Sequence, residues 1–313
     1  MNSSKIRIGV WGSKIWVDYF KEGFKDDEDI EVFVISKFSE FVHLSNNIDL
    51  FYIMFGWLDK DHILSFFYWL FSRKPIVIHW IGTDVWRVIN PQVLDLKMKV
   101  KRYLSLTLFK IYRRCYHIAC APWLKEELEL VGIEAKFIPV VSPMIKEDTP
   151  IYPLPNTLIV LSYIPLGRED FYGEEKLLQI ARQNPDIKFI VVANSPDRKP
   201  KDLDNCEYLG WVSRDKMEEL YKKAFCVMRL TKHDGLPGLG IEALLRGRYL
   251  IFTYDHPFVN RAVTIQEIQE ALDEIRLKRE PNYGGSDFVR KNYSAEVVKK
   301  QLKELFESII NQR

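Results

Sequence analysis

From Ile6 to about Asn311 one rhythm governs the chain: short β-branched and aromatic runs alternate with longer segments of helical apolar spacing. Strands are predicted at Ile6–Val10, Ile30–Ile35, Leu50–Phe55, Pro75–Trp80, His117–Cys120 and Ala135–Pro139. Helices are predicted over Trp16–Phe24, His62–Phe71, 92–114 and from Pro122 onward. Such alternation specifies βαβ units, because parallel neighbours need a crossover long enough to hold a helix. The stretch 142–156, which begins SPMIKEDTPIYPLP, breaks the rhythm with four prolines and three charges and reads as a linker. Beyond it strands return at Thr157–Ser162, Ile187–Val192, Cys206–Leu209, Phe225–Arg229 and Tyr249–Thr253. The intervening helices are Gly173–Asn184, Arg214–Lys223, 264–277 and 294–311.

The expected class is α/β: two Rossmann-like, doubly wound domains facing across a cleft. Residues 1–143 and 157–293 form the domains, 144–156 the hinge, and 294–313 a helix able to pack back on the first domain. Open parallel sheets bind ligands beyond the carboxyl ends of their strands, so the ligand is expected in that cleft. An apolar fraction of 47% in 313 residues supplies two cores and excludes a disordered chain. A net charge of +2 gives no reason to expect a nucleic-acid partner, and electrostatic partners must be sought in local clusters. Cys115, Cys120, Cys206 and Cys226 show neither a CxxC pair nor metal-ligand spacing, which predicts free thiols in a reducing cytoplasmic setting. No apolar leader opens the sequence, and the richest run, ILSFFYWLF at 63–71, falls short of the roughly 18–20 residues of a spanning helix.

The densest chemistry lies in HDGLPGLGIEALLRGRYLI, 233–251. It follows a predicted strand and leads into an apolar helix that Gly247 would stop. Gly235, Gly238 and Gly240 let backbone approach a ligand without a Cβ in the way, with Leu236, Pro237 and Leu239 between them. The N–H groups and dipole of a helix start favour an anion such as a phosphate. Asp234 and Glu242 stand eight residues apart across this turn, and a carboxylate can accept from two hydroxyls at once. A plain Gly/Pro loop capping a core helix is the other reading of the same residues.

DGLPGLGIEALLRGRYLI resembles the donor-site segment, written E-x7-E, of the retaining GT-B "glycosyl transferases group 1" family. YLGWVSRDKMEELYKKAFCVM, 208–228, is similar to the strand, glycine, Leu-Tyr-x-x-Ala helix and strand that precede it there. The resemblance implies a nucleotide-diphosphate sugar as donor, UDP- or GDP-linked, with Asp234 on sugar hydroxyls and Glu242 on the ribose. Asp for Glu at the first position is one methylene shorter, which puts the sugar's identity in doubt. The family also sets an arginine and a lysine on the leaving diphosphate. In LSYIPLGREDFYGEE, 161–175, Arg168 matches the arginine, but Tyr172-Gly173 stands where the lysine is expected. Arg229 and Lys232 are candidates for the second cation, or simply solvated charges.

In the first half, the resemblance makes His79, in KPIVIHWIGTDVW, a strand-end histidine facing donor sugar and acceptor. Asp84 either holds acceptor hydroxyls or caps the next helix. VWGSK, 10–14, resembles the family's glycine loop near the transferred group, which makes Gly12, with Ser13, an acceptor-side candidate. KMKVKRYLSLTLFKIYRR, 97–114, carries seven basic residues and no acid. On a helical wheel Val100, Leu104, Leu108, Ile111 and Tyr112 share a face that would pack on the core. Lys99, Arg102, Lys110, Arg113 and Arg114 lie opposite with Tyr103 and Leu106 among them. That outer face fits an anionic membrane surface or a merely solvated helix; the resemblance adds that acceptors in the family, saccharide or otherwise, are often lipid-linked.

DLD at 202–204 imitates a DxD metal motif but sits in a polar loop, so no metal ligand is assigned and no bound cofactor is expected. The reading is thus a retaining, metal-independent glycosyltransferase, cytoplasmic or peripheral at a membrane face. A nucleotide-sugar 2-epimerase of the same architecture and a non-catalytic sugar-nucleotide-binding protein stand as alternatives.

Overall fold

The computed structural model describes residues 5–44, 46–55 and 74–312. The predicted helix His62–Phe71 lies outside them. The chain divides into two compact units, 1–143 with 293–313, and 144–292.

In unit 1 the strands are β1 (Ile6–Gly12), β2 (Ile30–Val34), β3 (Leu50–Met54), β4 (Ile76–Trp80), β5 (Cys115–Ala119) and β6 (Lys136–Phe137). They form one parallel sheet in the order β2-β1-β3-β4-β5-β6. β3 and β4 are buried along their whole length, which is why their residues do not alternate between apolar and polar, with His79 the one polar side chain among them. The helices are α1 (Lys14–Gly23), α2 (Phe38–Leu44), α3 (Thr83–Ile89), α4 (Leu96–Ile111), α5 (Pro122–Glu129) and, after a gap in sequence, α11 (Ala295–Asn311). Helix α11 is capped by Ser294, whose side chain accepts from the Val297 N–H. It buries Val298, Leu302, Leu305, Phe306 and Ile309 against Ile8, Val10, Phe20 and Tyr52, so the last helix of the chain closes the core of the first unit.

Helix α4 departs from the sequence reading. Of the face expected to pack inward, Val100, Leu104 and Ile111 are exposed, Leu108 is half-buried and the C-cap Tyr112 is buried, while the buried side of the helix is that of Ser105 and Phe109. At about 100° per residue Phe109 lies half a turn from Val100. The Phe109 ring packs edge-on to Trp80 and His117, with centroids 5.8 and 5.3 Å away, and Arg102 Nε donates to the Val88 carbonyl at 2.5 Å. One aromatic anchor and one hydrogen bond set the helix's rotation against the count of aliphatic residues.

Unit 2 holds β7 (Ile159–Tyr163), β8 (Lys188–Val192), β9 (Cys206–Tyr208), β10 (Cys226–Arg229), β11 (Tyr249–Phe252) and β12 (Asn260–Arg261). Its helices are α6 (Glu174–Gln183), α7 (Arg214–Lys223), α8 (Gly238–Leu245), α9 (Ile265–Arg276) and α10 (Tyr283–Tyr293), the last ending at the boundary with unit 1. The parallel sheet runs β9-β8-β7-β10-β11-β12, third to first and then fourth to sixth in the unit's own count. That is the dinucleotide-binding order, whose direction reverses between β7 and β10 and leaves a crevice beyond their carboxyl ends. Helices α6 and α9 cover one face with Leu177, Ile180, Ile268 and Leu272.

The proline-rich stretch is not slack. The buried Arg248 guanidinium donates to the carbonyls of Tyr152, Pro153 and Ala224, and Arg290 donates to those of Glu147 and Thr149. A proline-rich stretch has few N–H groups to pair its own carbonyls, and these two arginines collect four of them, those of Glu147, Thr149, Tyr152 and Pro153, within unit 2.

Gly173, with φ +72°, lays the loop after β7 against the end of β10: a Cβ there would stand 2.4 Å from the Leu230 carbonyl oxygen. Gly173→Ala is expected to lower unfolding stability by about 1–3 kcal/mol, the scale of a non-glycine residue forced into left-handed backbone. A urea midpoint equal to that of the parent chain would refute this close approach.

Candidate active site

Two loops meet at the β7/β10 reversal. The Lys232 N–H donates to the Phe171 carbonyl at 2.9 Å, and Lys232 Nζ reaches Asp170 at 2.6 Å. Between the loops lies Arg229, the last residue of β10 and nearly buried. Its Nε donates to Asp234 Oδ2 at 2.7 Å, and its guanidinium carbon is 4.6 Å from the Tyr172 ring centroid and 5.4 Å from that of Tyr163. Burial opposes the guanidinium's charge, but the Asp234 carboxylate beside it outweighs that and raises its pKa. Arg168 is exposed, its guanidinium 4.9 Å from the Phe171 centroid and 5.4 Å from that of Tyr172, and it makes no ion pair with a described residue. Four residues singled out in the sequence, Arg168, Arg229, Lys232 and Asp234, therefore share one end of one sheet.

Helix α8 opens at the same end. Pro237 is its N-cap with no side-chain cap, and its first turn holds no acid. A Cβ on Gly238 would meet open space, whereas one on Gly240 would stand 2.7 Å from the Leu250 side chain. Gly238 thus leaves the helix tip uncovered and Gly240 lets the helix sit close on β11. Gly235 is buried, and Leu236 and Leu239 are half-buried in the turn. The first N–H groups of α8 lack intrahelical partners, so the tip carries a partial positive charge beside Arg229.

Glu242, in the second turn of α8, is partly buried and accepts from Tyr221 OH at 3.1 Å. Burial raises its pKa, against the pull of Arg246. Arg246 donates through Nε and Nη2 to Glu218, at 2.6–3.0 Å, and Glu218 also accepts from Tyr152 OH at 2.5 Å. The sequence reading missed Tyr152, Glu218, Tyr221 and the aromatic pair Tyr163 and Tyr172. The helical spacing of Glu218 and Tyr221 toward one side of α7 was a signal for those two, and nothing local marked Tyr152. Nothing local marked the tyrosines as supports for a cation.

The acceptor-side candidates fare differently. His79 is not at an open strand end but fully buried, with Nδ1 bonded to Tyr52 OH and Nε2 to the Ile138 carbonyl at 3.0 Å. As the penultimate residue of β4 it points to the face that α11 covers, where Phe306 packs edge-on to Tyr52. Burial holds its pKa down to about 3, so the ring is a neutral core group and the assignment to substrate is corrected. Asp84 is fully buried too, its Oδ1 accepting from the N–H groups of Gly82, Val85 and Ile81 at 2.8, 3.0 and 3.1 Å. It fastens the β4–α3 turn from inside α3 rather than as its cap, which is Gly82, and its acceptor-side assignment is corrected likewise. Gly12 ends β1 where a Cβ would stand 2.5 Å from the Met54 carbonyl oxygen, so strand packing requires it. Asp202 of DLD is exposed and pairs with Arg182 at 3.0 Å, and no group of three or more His, Cys, Asp or Glu among the described residues could hold a metal ion.

No family model matches the chain, and no curated protein matches it by sequence. Solved structures do. A sucrose-phosphate synthase from Thermosynechococcus elongatus superposes with a TM-score of 0.71 at 13% identity, over 99% of this chain and all of its own. The lipopolysaccharide outer core galactosyltransferase WaaB gives 0.66 at 14% identity, over 97% of this chain and all of its own. The UDP-GlcNAc 2-epimerase from Neisseria meningitidis, bound to UDP-GlcNAc, gives 0.52 at 12% identity, over 96% of this chain and 99% of its own. These likenesses establish the fold, two parallel-sheet α/β units of the GT-B type.

Asp234→Asn, which removes the carboxylate and keeps its shape, is expected to cost about 1–3 kcal/mol, because a nearly buried Arg229 donor loses its charged acceptor; chemical denaturation gives the value, and no loss would dissolve the pair's structural weight. His79 and His117, whose pKa burial lowers to about 4, predict a pH slope. Both are neutral when folded and take a proton when unfolded, so stability is full above about pH 6.5 and falls as pH drops toward 4 and 3. Each histidine adds up to roughly 1.4 kcal/mol per unit within its window. A double His79→Gln, His117→Gln chain should lose much of that slope in unfolding measured from pH 7 to pH 4.

Proposed function

We propose that the chain is a glycosyltransferase that takes a sugar from a nucleotide-diphosphate donor bound at the β7/β10 reversal of unit 2. The observation that carries this reading is the convergence of an uncapped helix tip, an exposed arginine and a buried Arg229–Asp234 pair at that one place. Departure of the diphosphate builds negative charge on its oxygens, and fixed donors that need no reorganisation lower that barrier most. Arg168 and the first N–H groups of α8 supply such donors, and Arg229, held over Tyr172, is the second cation where the resemblance expects a lysine. Asp234, oriented by Arg229, accepts from donor-sugar hydroxyls; Glu242, oriented by Tyr221, accepts from the ribose. The acceptor is a hydroxyl compound; transfer with retention is what the resemblance to the retaining family implies, and no metal is required because side chains and helix dipole supply the charge a cation would otherwise bring.

The likeness to sucrose-phosphate synthase and WaaB supports transfer; the likeness to an epimerase supports a second reading, in which the bound nucleotide sugar is isomerised and released. A thermal-shift panel of UDP-, GDP- and ADP-sugars followed by product analysis separates the two. Transfer predicts glycoside formed only with an acceptor present; a new free nucleotide sugar without acceptor would favour the epimerase, and binding without turnover a non-catalytic role.

Glu242→Ala should weaken nucleotide affinity about tenfold by calorimetry, and Arg168→Ala should lower turnover roughly a hundredfold with smaller change in donor affinity, the usual scale for one lost preorganised donor. Retention of full turnover by Arg168→Ala, or its abolition in the parent chain by EDTA, would overturn the charge account given above.

A further inference from the structure

Helix α4 turns an apolar stripe to solvent. Val93, Leu96, Val100, Tyr103, Leu104 and Ile111 are all exposed, Leu96 at 79% and Tyr103 at 69%. Sixteen large apolar side chains are exposed among the described residues, and six fall in these nineteen positions, so the stripe is a concentration and not the usual scatter. On the helical wheel, Leu96, Val100, Tyr103, Leu104 and Ile111 lie within about 100° of arc. The exposed Lys99 and Lys110 border that arc on one side and Lys97 on the other. No acid occurs from Leu96 to Lys125.

From this arrangement we propose that α4 lies on an anionic lipid bilayer, with the stripe in the acyl–headgroup boundary and the flanking lysines on lipid phosphates. An aliphatic stripe with one interfacial tyrosine, edged on both sides by long cationic side chains, has the geometry of a helix lying in the plane of a membrane surface. The charge decides the occupant. A second copy would set one acid-free cationic helix against another, and a neutral apolar partner would leave the lysines unpaired. Among the described residues no helix is long and apolar enough to span a bilayer, so the surface role is the one this segment fits. The inference concerns unit 1 and stands apart from the donor site.

Co-sedimentation of the full chain with vesicles of phosphatidylcholine alone, and of phosphatidylcholine with phosphatidylglycerol in about equal parts, tests it. Binding is expected to the anionic vesicles only, weakening with salt. The triple variant Lys97→Glu, Lys99→Glu, Lys110→Glu should reduce it by about tenfold or more. Leu96→Gln with Tyr103→Gln should also reduce it, which a purely electrostatic adsorption would resist. Thermal melting shows whether each variant is folded. A measurement on the unaltered chain runs beside them: Lys97, Lys99 and Lys110 become protected from amine acylation when anionic vesicles are added, while Lys201 in unit 2 does not. Equal binding to neutral vesicles, unchanged binding of the folded variants, no protection, or protection produced only by an acidic protein overturns the proposal.

Discussion

A guanidinium that has lost its water must be surrounded by groups that replace it. Arg229 meets that demand with a carboxylate from the loop that follows it and two tyrosine rings from the loop and strand beside it. Each partner comes from a different segment, so satisfying one cation fixes the β7 loop, the β10 loop and the approach to α8 together. Gly173 permits the contact and the Lys232 N–H closes it. The arrangement at the sheet's reversal is over-determined for this reason, as a site that must act by position rather than by motion would need to be.

The sequence disclosed the architecture well where periodicity and punctuation agreed. Arg214–Lys223 was bounded by the strands on either side of it, and the apolar runs within β3, β4 and β10 marked buried strands. Short elements escaped. Phe38–Leu44, Thr83–Ile89 and the two-residue β12 are too brief to show a period, and Tyr283–Tyr293 carries Gly284 and Gly285 in its first turn, which mimic a loop. The strand order was beyond reach, because long-range pairing leaves little mark on local spacing.

Site residues divided along the same line. The loop–helix segment after β10 could be read, since glycines, a proline and acids at fixed offsets constrain backbone locally. His79 and Asp84 misled because their meaning depends on facing: a histidine one residue from a strand's end points inward or outward according to what covers the sheet. Here α11, from the far end of the chain, covers it. Helix α4 misled in the opposite sense. Counting aliphatic residues chose the wrong face, since Phe109, wedged near Trp80 and His117, and the Arg102 hydrogen bond to the Val88 carbonyl fixed the rotation.

The closing of unit 1 by α11 also orders events in time. Unit 2 has all its residues once Asn292 is made, whereas the first sheet lacks the helix that buries Ile8, Val10 and Tyr52 until the final turns emerge. On the ribosome the domain begun second can therefore finish first, and the nascent first domain carries an uncovered greasy flank throughout that interval. A chaperone that reads exposed aliphatic surface would find its client there, and a stop codon before Ala295 would make that transient condition permanent.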